Sequence, residues 1–334
     1  MTLSPITLAS NQPRDRFYAG GERIARFRGV GPAIPHTPED WVGSTTTLFG
    51  DASIGLTPWG QGTLRDAVEA DPLAWLGQRH VDRYGSDTML LVKLLDAGQR
   101  LPVHAHPDDA FAQRTLGRAH GKSEAWYILE PGEVFLGLRR DVDERELAAL
   151  VSAQRVDELR DLLHTRRVDA GDTVFVPAGM LHAIGEGILL VEVQQPEDLS
   201  ILLEWRDFDI DGSVAGHLGL GFEVALTAVT MSETSPAAID ALISRDHSRS
   251  SALVGEADGF FVIERWAAGE APLDAGFAVL VVLDGEGALH TDAGSLPLSR
   301  GATVLMPHAA GAARISGDAH GVVCRPPSPE EPSS

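Results

Sequence analysis

Cysteine is almost missing from this chain: its 334 residues include one, Cys324. A single thiol excludes an internal disulfide framework and fits a reducing compartment, so a cytoplasmic location is expected. Cys324 lies near the tail and is read as incidental. No uninterrupted apolar run is long enough to span a bilayer. The amino terminus, MTLSPITLASNQPRDRF, lacks the basic-then-apolar layout of a secretory signal. Basic residues are also scarce, 27 Lys and Arg against 48 Asp and Glu, for a formal charge of −21. That balance argues against nucleic acid as a partner, because a phosphate backbone must be met by a basic surface. An anionic small molecule would need a local basic pocket set against the overall field.

Segments with helical periodicity are few, whereas 35 glycines and 20 prolines break the chain often, which favours β structure interrupted by turns. GTLRDAVEADPLAWLG (62–77) predicts one short amphipathic helix ending at Gly77. MLLVKLLDA (89–97) predicts a buried strand. EAWYIL and EVFLGL predict two strands around the EPGE turn at 130–133. DERELAALVSAQRVDELRDLLHTRR (143–167) has apolar residues at helical spacing and predicts two short helices inserted between strands. SPAAIDALISRDH (235–247) predicts another helical segment, and RPPSPEEPSS a disordered tail.

The β-rich stretches resemble each other. WYILEPGE (126–133) compares with VLVVLDGEG (279–287), and GDTVFVPAGMLHAIG (171–185) with GATVLMPHAAGAARI (301–315). This suggests two copies of one barrel module. The expected layout is a catalytic domain at 1–230 with its insertion at about 141–167, a degenerate second barrel at 231–325, and the tail at 326–334.

LPVHAHPDDAFAQRTLGRAHGKSEAWYI (101–128) holds the clearest chemical signal. His104 and His106 are two apart on an expected strand, so they share a face. Pro107 keeps His106 extended. Glu124 comes from the next strand and His182 from GDTVFVPAGMLHAIGEG. Three imidazoles and a carboxylate suit Zn, Mn, Fe or Ni, and the residues alone do not rank them. In a chain with 12 histidines an H-x-H can arise by chance, and His80, His120, His164 and His308 are read as ordinary surface residues. The order and spacing of the four chosen positions match the ligand arrangement of the cupin superfamily, a double-sheet jelly-roll barrel. The fold expected is mainly β, two cupin-type jelly-roll barrels in tandem with a small helical insertion. On the repeat alignment the second copy has Phe277 opposite Glu124 and Ala312 opposite His182, so the metal belongs to the first barrel alone.

HPDDAFA (106–112), GKSEAWYIL (121–129), VPAGMLHAIGEGILLVEVQQ (176–195), PEDWVGS (38–44) and the helical insert together resemble the type I phosphomannose isomerases in their short bacterial form. The resemblance covers nearly the whole chain. It implies a zinc-dependent aldose–ketose isomerase interconverting mannose 6-phosphate and fructose 6-phosphate, with metal ligands His104, His106, Glu124 and His182. Lys122 matches the family lysine beside the metal-binding glutamate, and Glu192 the glutamate of its E-x-Q-Q segment. A small-molecule sugar or sugar phosphate is the partner implied, with the protein a monomer or homodimer.

Aldose–ketose interconversion moves a proton between C1 and C2 through an enediol. A Lewis-acidic metal would stabilise the developing charge, and a positioned carboxylate or lysine would take the proton from carbon. Glu192 is the first candidate for base and Lys122 the second; Lys122 could equally contact phosphate or stabilise the enediolate. Two departures stand out. His104 occupies the place of a family glutamine. QQPEDLSILLEWRDFD keeps Asp198 as a substrate contact but has Leu202 where the family has an arginine. Arg206, four residues on, is the nearest replacement, displaced by roughly 13 Å along a strand. Arginine suits bidentate phosphate binding. Two alternatives therefore stay open: an isomerase or epimerase of a different, unphosphorylated sugar, and a non-catalytic sugar-binding cupin.

Overall fold

The computed structural model describes residues 3–329. From Leu91 onward the chain passes back and forth between two antiparallel sheets. One contains, in spatial order, the strands Ile243–Ser244, Thr173–Val176, Glu124–Glu130, Leu189–Gln194, Leu91–Asp96 and Glu39–Val42. The other contains Ile201–Leu202, His104–Ala105, His182–Ile184, Gly132–Leu138 and Leu163–Val168. Together they form the first jelly roll, and the space between them is the candidate site.

MLLVKLLDA and GILLVEVQQ read as near-continuous apolar runs because both faces of their sheet are covered. Along Leu91–Asp96, Lys93 points toward the site, so its neighbours Val92 and Leu94 point away. Both belong to one apolar core with Val279, Val281, Leu305 and Cys324 from the second half of the chain. The outer face of the first barrel is thus packed against a sheet of the second.

That second barrel sets Ile6–Thr7, Thr303–Met306, Ala278–Asp284, His320–Arg325 and Val262–Trp266 against Ala271–Leu273, Ala313–Gly317, Glu286–Thr291 and Gly294–Ser299. Its interior is filled by Trp266, Leu280, Val282, Leu289, Leu298 and Met306. Two short strands cross the boundary expected near residue 230. Ile6 and Thr7 pair with Leu305 and Val304, and Ile243 and Ser244 pair with Val174 and Thr173.

The insertion holds two helices, Glu144–Ser152 and Val156–Asp161, the first capped by Asp143, whose carboxylate accepts from Glu146 N at 2.8 Å. Leu147, Val151 and Leu159 pack with Leu138, Ala183 and Ile201. The expected second helix is too long: Leu163–Val168 is a strand paired with Gly132–Leu138. Pairing with a waiting strand edge overrides a weak helical preference. The single helix expected over 62–77 is two, Leu64–Ala70 and Pro72–Leu76. Pro72 cannot continue the first helix and instead starts the second, with Asp71 as its cap accepting from Ala74 N. The expected helix at 235–247 is short, Pro236–Ala241. Of the tail, residues from 330 on lie outside the described residues; before them, the Ser328 carbonyl accepts from the Tyr84 hydroxyl at 3.3 Å.

Candidate metal centre and active site

The His-bearing sheet brings its imidazoles together by register. His104 pairs directly with His182 on one side and with Leu202 on the other; His106 follows two residues on, on the same face. The three rings are mutually close, with centroids 4.1 Å apart for His104 and His182, 5.0 Å for His104 and His106, and 4.9 Å for His106 and His182. All three are buried.

Each Nδ1 faces a backbone carbonyl: Pro102 O at 2.8 Å from His104, Leu199 O at 2.7 Å from His106, Met180 O at 2.8 Å from His182. A carbonyl can only accept, so each Nδ1 carries the proton in the neutral ring and each Nε2 presents a lone pair inward. This is the tautomer a metal ligand needs. Burial holds the His104 ring well below the usual imidazole range, and burial with Lys122 alongside holds that of His106 at about 3.

Glu124 enters from the facing sheet. Its Oε2 lies 2.9 Å from His106 Nε2 and its Oε1 3.3 Å from His182 Nε2. Trp126 Nε1 donates to Oε1 at 3.0 Å. Burial would raise the Glu124 carboxyl, but Lys122 and His106 outweigh it and hold it well below the carboxylate range. Nitrogen lone pairs therefore face an ionised carboxylate whose Oε2 is balanced by Lys122 alone at 3.0 Å, and His182 Nε2 is buried without a hydrogen-bond partner. A cation between them would resolve both problems. His104, His106 and His182 could hold a metal ion.

The other sheet adds a row of charge. Trp41, Lys93, Glu192 and Trp126 are successive partners across four strands, so their side chains share a face. Lys93 Nζ is 3.3 Å from Glu192 Oε2 and 3.4 Å from Glu39 Oε2, and it lies over the Trp41 ring at 4.7 Å. Burial would lower this lysine, but the two carboxylates raise it above its ordinary value. Burial also lifts the Glu192 carboxyl to about 7, with Lys93 opposing and Glu124 reinforcing the shift. Glu39 additionally accepts from Tyr18 Oη at 2.7 Å and Trp41 Nε1 at 2.8 Å.

These groups line a cavity of about 340 Å³. Of the residues expected from sequence, His104, Lys122, Glu124, Glu192 and Asp198 line it, and His106 and His182 stand behind this lining, each against Glu124. Lys122 Nζ sits 3.0 Å from Glu124 Oε2 and 3.1 Å from His106 Nε2. Its position depends on a close approach of two loops, where Lys122 N donates to Pro107 O at 2.9 Å. A Cβ on the preceding Gly121 would stand 2.4 Å from that same oxygen. The Asp198 carboxylate accepts from Phe49 N at 3.1 Å. Arg206 is not brought to the cavity: its side chain is half exposed beside Asp207, and its amide donates to Gln154. Leu202 does line the cavity.

The histidines read as surface residues need correction. His80 and His164 are buried, each with a ring nitrogen against a carbonyl, Asp87 O at 2.6 Å and Thr234 O at 2.7 Å. Those carbonyls supply the partner that lets an imidazole be buried. His120 is half-buried against the Asp87 carboxylate at 2.8 Å. Lys93, Glu39, Tyr18 and Arg16 are cavity residues that the sequence reading passed over. Lys93 had a signal, a charge in the middle of an apolar strand.

No family model matches the chain. Among characterised proteins it is similar to the mannose-6-phosphate isomerase of Streptococcus mutans serotype c, 28% identical over 310 residues covering 90% of this chain and 92% of the relative. It is 30% identical over 255 residues to mannose-6-phosphate isomerase ManA of Bacillus subtilis, covering 74% of this chain and 76% of that protein. The chain belongs to the mannose-6-phosphate isomerase family. It is an isomerase of the aldose–ketose class. Solved structures of the family share its fold. The Bacillus subtilis mannose 6-phosphate isomerase aligns with a TM-score of 0.73 at 24% identity over 97% of this chain and 100% of that one. The Salmonella typhimurium enzyme aligns at 0.74 and 16% over 98% and 100%. No helix among the described residues is long and apolar enough to cross a membrane.

Proposed function

We propose that this isomerase interconverts mannose 6-phosphate and fructose 6-phosphate through an enediol, with a divalent metal, zinc first, held by His104, His106, His182 and Glu124. The observation that carries the reading is the set of inward-facing Nε2 lone pairs against Glu124, with Glu192 on the same wall near neutrality. The metal, when bound, supplies Lewis-acid stabilisation of negative charge developing on the substrate's O1 and O2.

The chain's own groups do the rest. Glu192 is the base. A carboxylate near neutrality can take the proton from C2 of the aldose and return it to C1, while the hydroxyl proton of O2 passes to O1, which gives the ketose. Lys93 holds Glu192 in place without leaving its strand. Lys122, wedged against Glu124 and His106, offsets charge on the enediolate oxygens. Asp198 faces the same space and offers an acceptor to sugar hydroxyls.

The test is direct. The purified chain, supplied in turn with Zn, Mn, Fe and Ni, is given mannose 6-phosphate, and fructose 6-phosphate is followed by a coupled assay. Turnover that a chelator abolishes and metal restores is expected; no product with any metal would overturn the reading. One observation favours a second reading, an unphosphorylated sugar: Leu202 presents an aliphatic surface where the resemblance implies an arginine. Turnover of free mannose but not of its phosphate in the same assay would select it, and binding without turnover would select a sugar-binding role.

A further inference from the structure

Arg16 belongs to the amino-terminal arm, outside both sheets, yet its side chain lines the cavity. Its main chain is fixed twice to the next loop: Arg16 N donates to His36 O at 3.1 Å, and His36 Nδ1 meets Arg16 O at 2.9 Å. Its guanidinium is fixed to Glu39, with Nε and Nη2 both 3.3 Å from Oε1, and it lies over the Phe17 ring at 5.7 Å. Nη1 has no ion pair or hydrogen bond among the described residues. Of the two lysines of the cavity, Lys93 is paired with Glu39 and Glu192, and Lys122 stands at the histidine cluster, against Glu124 and His106. Glu39, for its part, is satisfied by Lys93, Tyr18 and Trp41 as well. Arg16 is thus an oriented guanidinium with donor capacity to spare, separated from the histidine cluster by Glu39, Lys93 and Glu192. It is also the one arginine that lines this cavity among the described residues.

Resting on the function proposed above, we propose that Arg16 docks the substrate phosphate, the role for which Leu202 is unsuited and from which Arg206 is excluded by position. A planar guanidinium with a free edge can meet phosphate oxygens with paired hydrogen bonds. The reacting end of the sugar would then lie at the histidines and its phosphate end at the amino-terminal arm. Arg16 sets specificity for the phosphorylated substrate and takes no part in proton transfer.

The experiment compares wild type, Arg16→Ala, Arg16→Gln and Arg16→Lys as full chains loaded with metal. It reads kcat and KM for mannose 6-phosphate and the inhibition constant of inorganic phosphate. Loss of a charge-assisted contact predicts that KM and the phosphate inhibition constant rise together by about 10- to 100-fold in R16A and R16Q, with partial rescue in R16K and kcat within a few-fold of wild type. An unchanged KM, or a fall in kcat with KM unmoved, overturns the assignment of Arg16 while leaving the isomerase reading intact. Absence of any turnover of mannose 6-phosphate by wild type overturns both. If R16A does not fold, the charge-free R16Q and the charge-retaining R16K decide the matter between them.

Discussion

Lys93 and Glu192 face each other in register on adjacent strands, Nζ 3.3 Å from Oε2, with both side chains almost fully buried. The lysine is shared with Glu39 at 3.4 Å. One cation therefore keeps two carboxylates in the same buried row, and it can hold Glu192 without neutralising its capacity to accept a proton.

Removing either partner should have different consequences. Lys93→Met leaves Glu192 without its buried cation and Glu39 with Arg16 alone, and breaking a buried pair in this way costs about 3–5 kcal/mol. Urea unfolding should show it as a fall in midpoint. Glu192→Gln keeps the shape and should unfold near wild type, yet lose about 10²- to 10⁴-fold in kcat, the range for loss of a general base. A Glu192→Gln variant with a tenth of wild-type turnover would remove Glu192 from the proton transfer.

The histidine cluster predicts metal content independently of activity. Wild type dialysed against metal should retain one equivalent. His182→Ala, which deletes the ligand at the centre of the His104–His182–Glu124 contacts, should retain well under half an equivalent. Chelation should lower the thermal midpoint of wild type and leave that of His182→Ala unmoved, because a ligand stabilises only the state that binds it. Equal metal content in both proteins would disprove the cluster as the site.

The His120–Asp87 pair predicts how stability depends on pH away from the metal. The hydrogen bond to Asp87 raises His120 above its ordinary value. Burial would raise Asp87, but the bond to His120 prevails and lowers it. The histidine's contribution is present in full below about pH 6.5 and is lost as pH rises through the raised folded-state value. The aspartate's contribution is present above about pH 3.9 and is lost as pH falls through the lowered one. The pair therefore contributes most between those limits. Asp87→Asn should remove about 1 kcal/mol or less there, given partial exposure, and nothing at alkaline pH. A stability loss equal at pH 5 and pH 9 would contradict it.

The legible part of this molecule was the part written in local pattern. Alternation and turn residues marked the strands; His104 and His106 were readable as candidates because spacing along a strand maps directly onto a face, and Glu124 and His182 because the order of strands carrying them matches a known barrel pattern. Lys93 and Glu39 were not, since only the register of three strands reveals that they meet Glu192. Arg16 was further out of reach: it approaches from an irregular arm that no periodicity describes. Leu202 showed where a charge was missing, but its replacement came from a segment almost two hundred residues away in sequence. Leu163–Val168 carried apolar residues at helical spacing and became a strand because Gly132–Leu138 offered an edge.

Cys324 gives a probe of how the two barrels hold together. It is wholly buried and shares its apolar core with Val92 and Val42 of the first barrel and Val279 of the second. Burial pushes its thiol far above the ordinary value, and thiolate is the reactive form. A water-soluble disulfide reagent should therefore leave the native protein unlabelled and react only through opening. The core is common to both barrels, so the opening that exposes Cys324 should be the global one. Labelling in rising urea should follow the same transition as tryptophan fluorescence, to which five of the six tryptophans contribute from the first 230 residues. Labelling at a clearly lower urea concentration than the fluorescence change would mean that the second barrel comes away first and that the shared core is not what joins them.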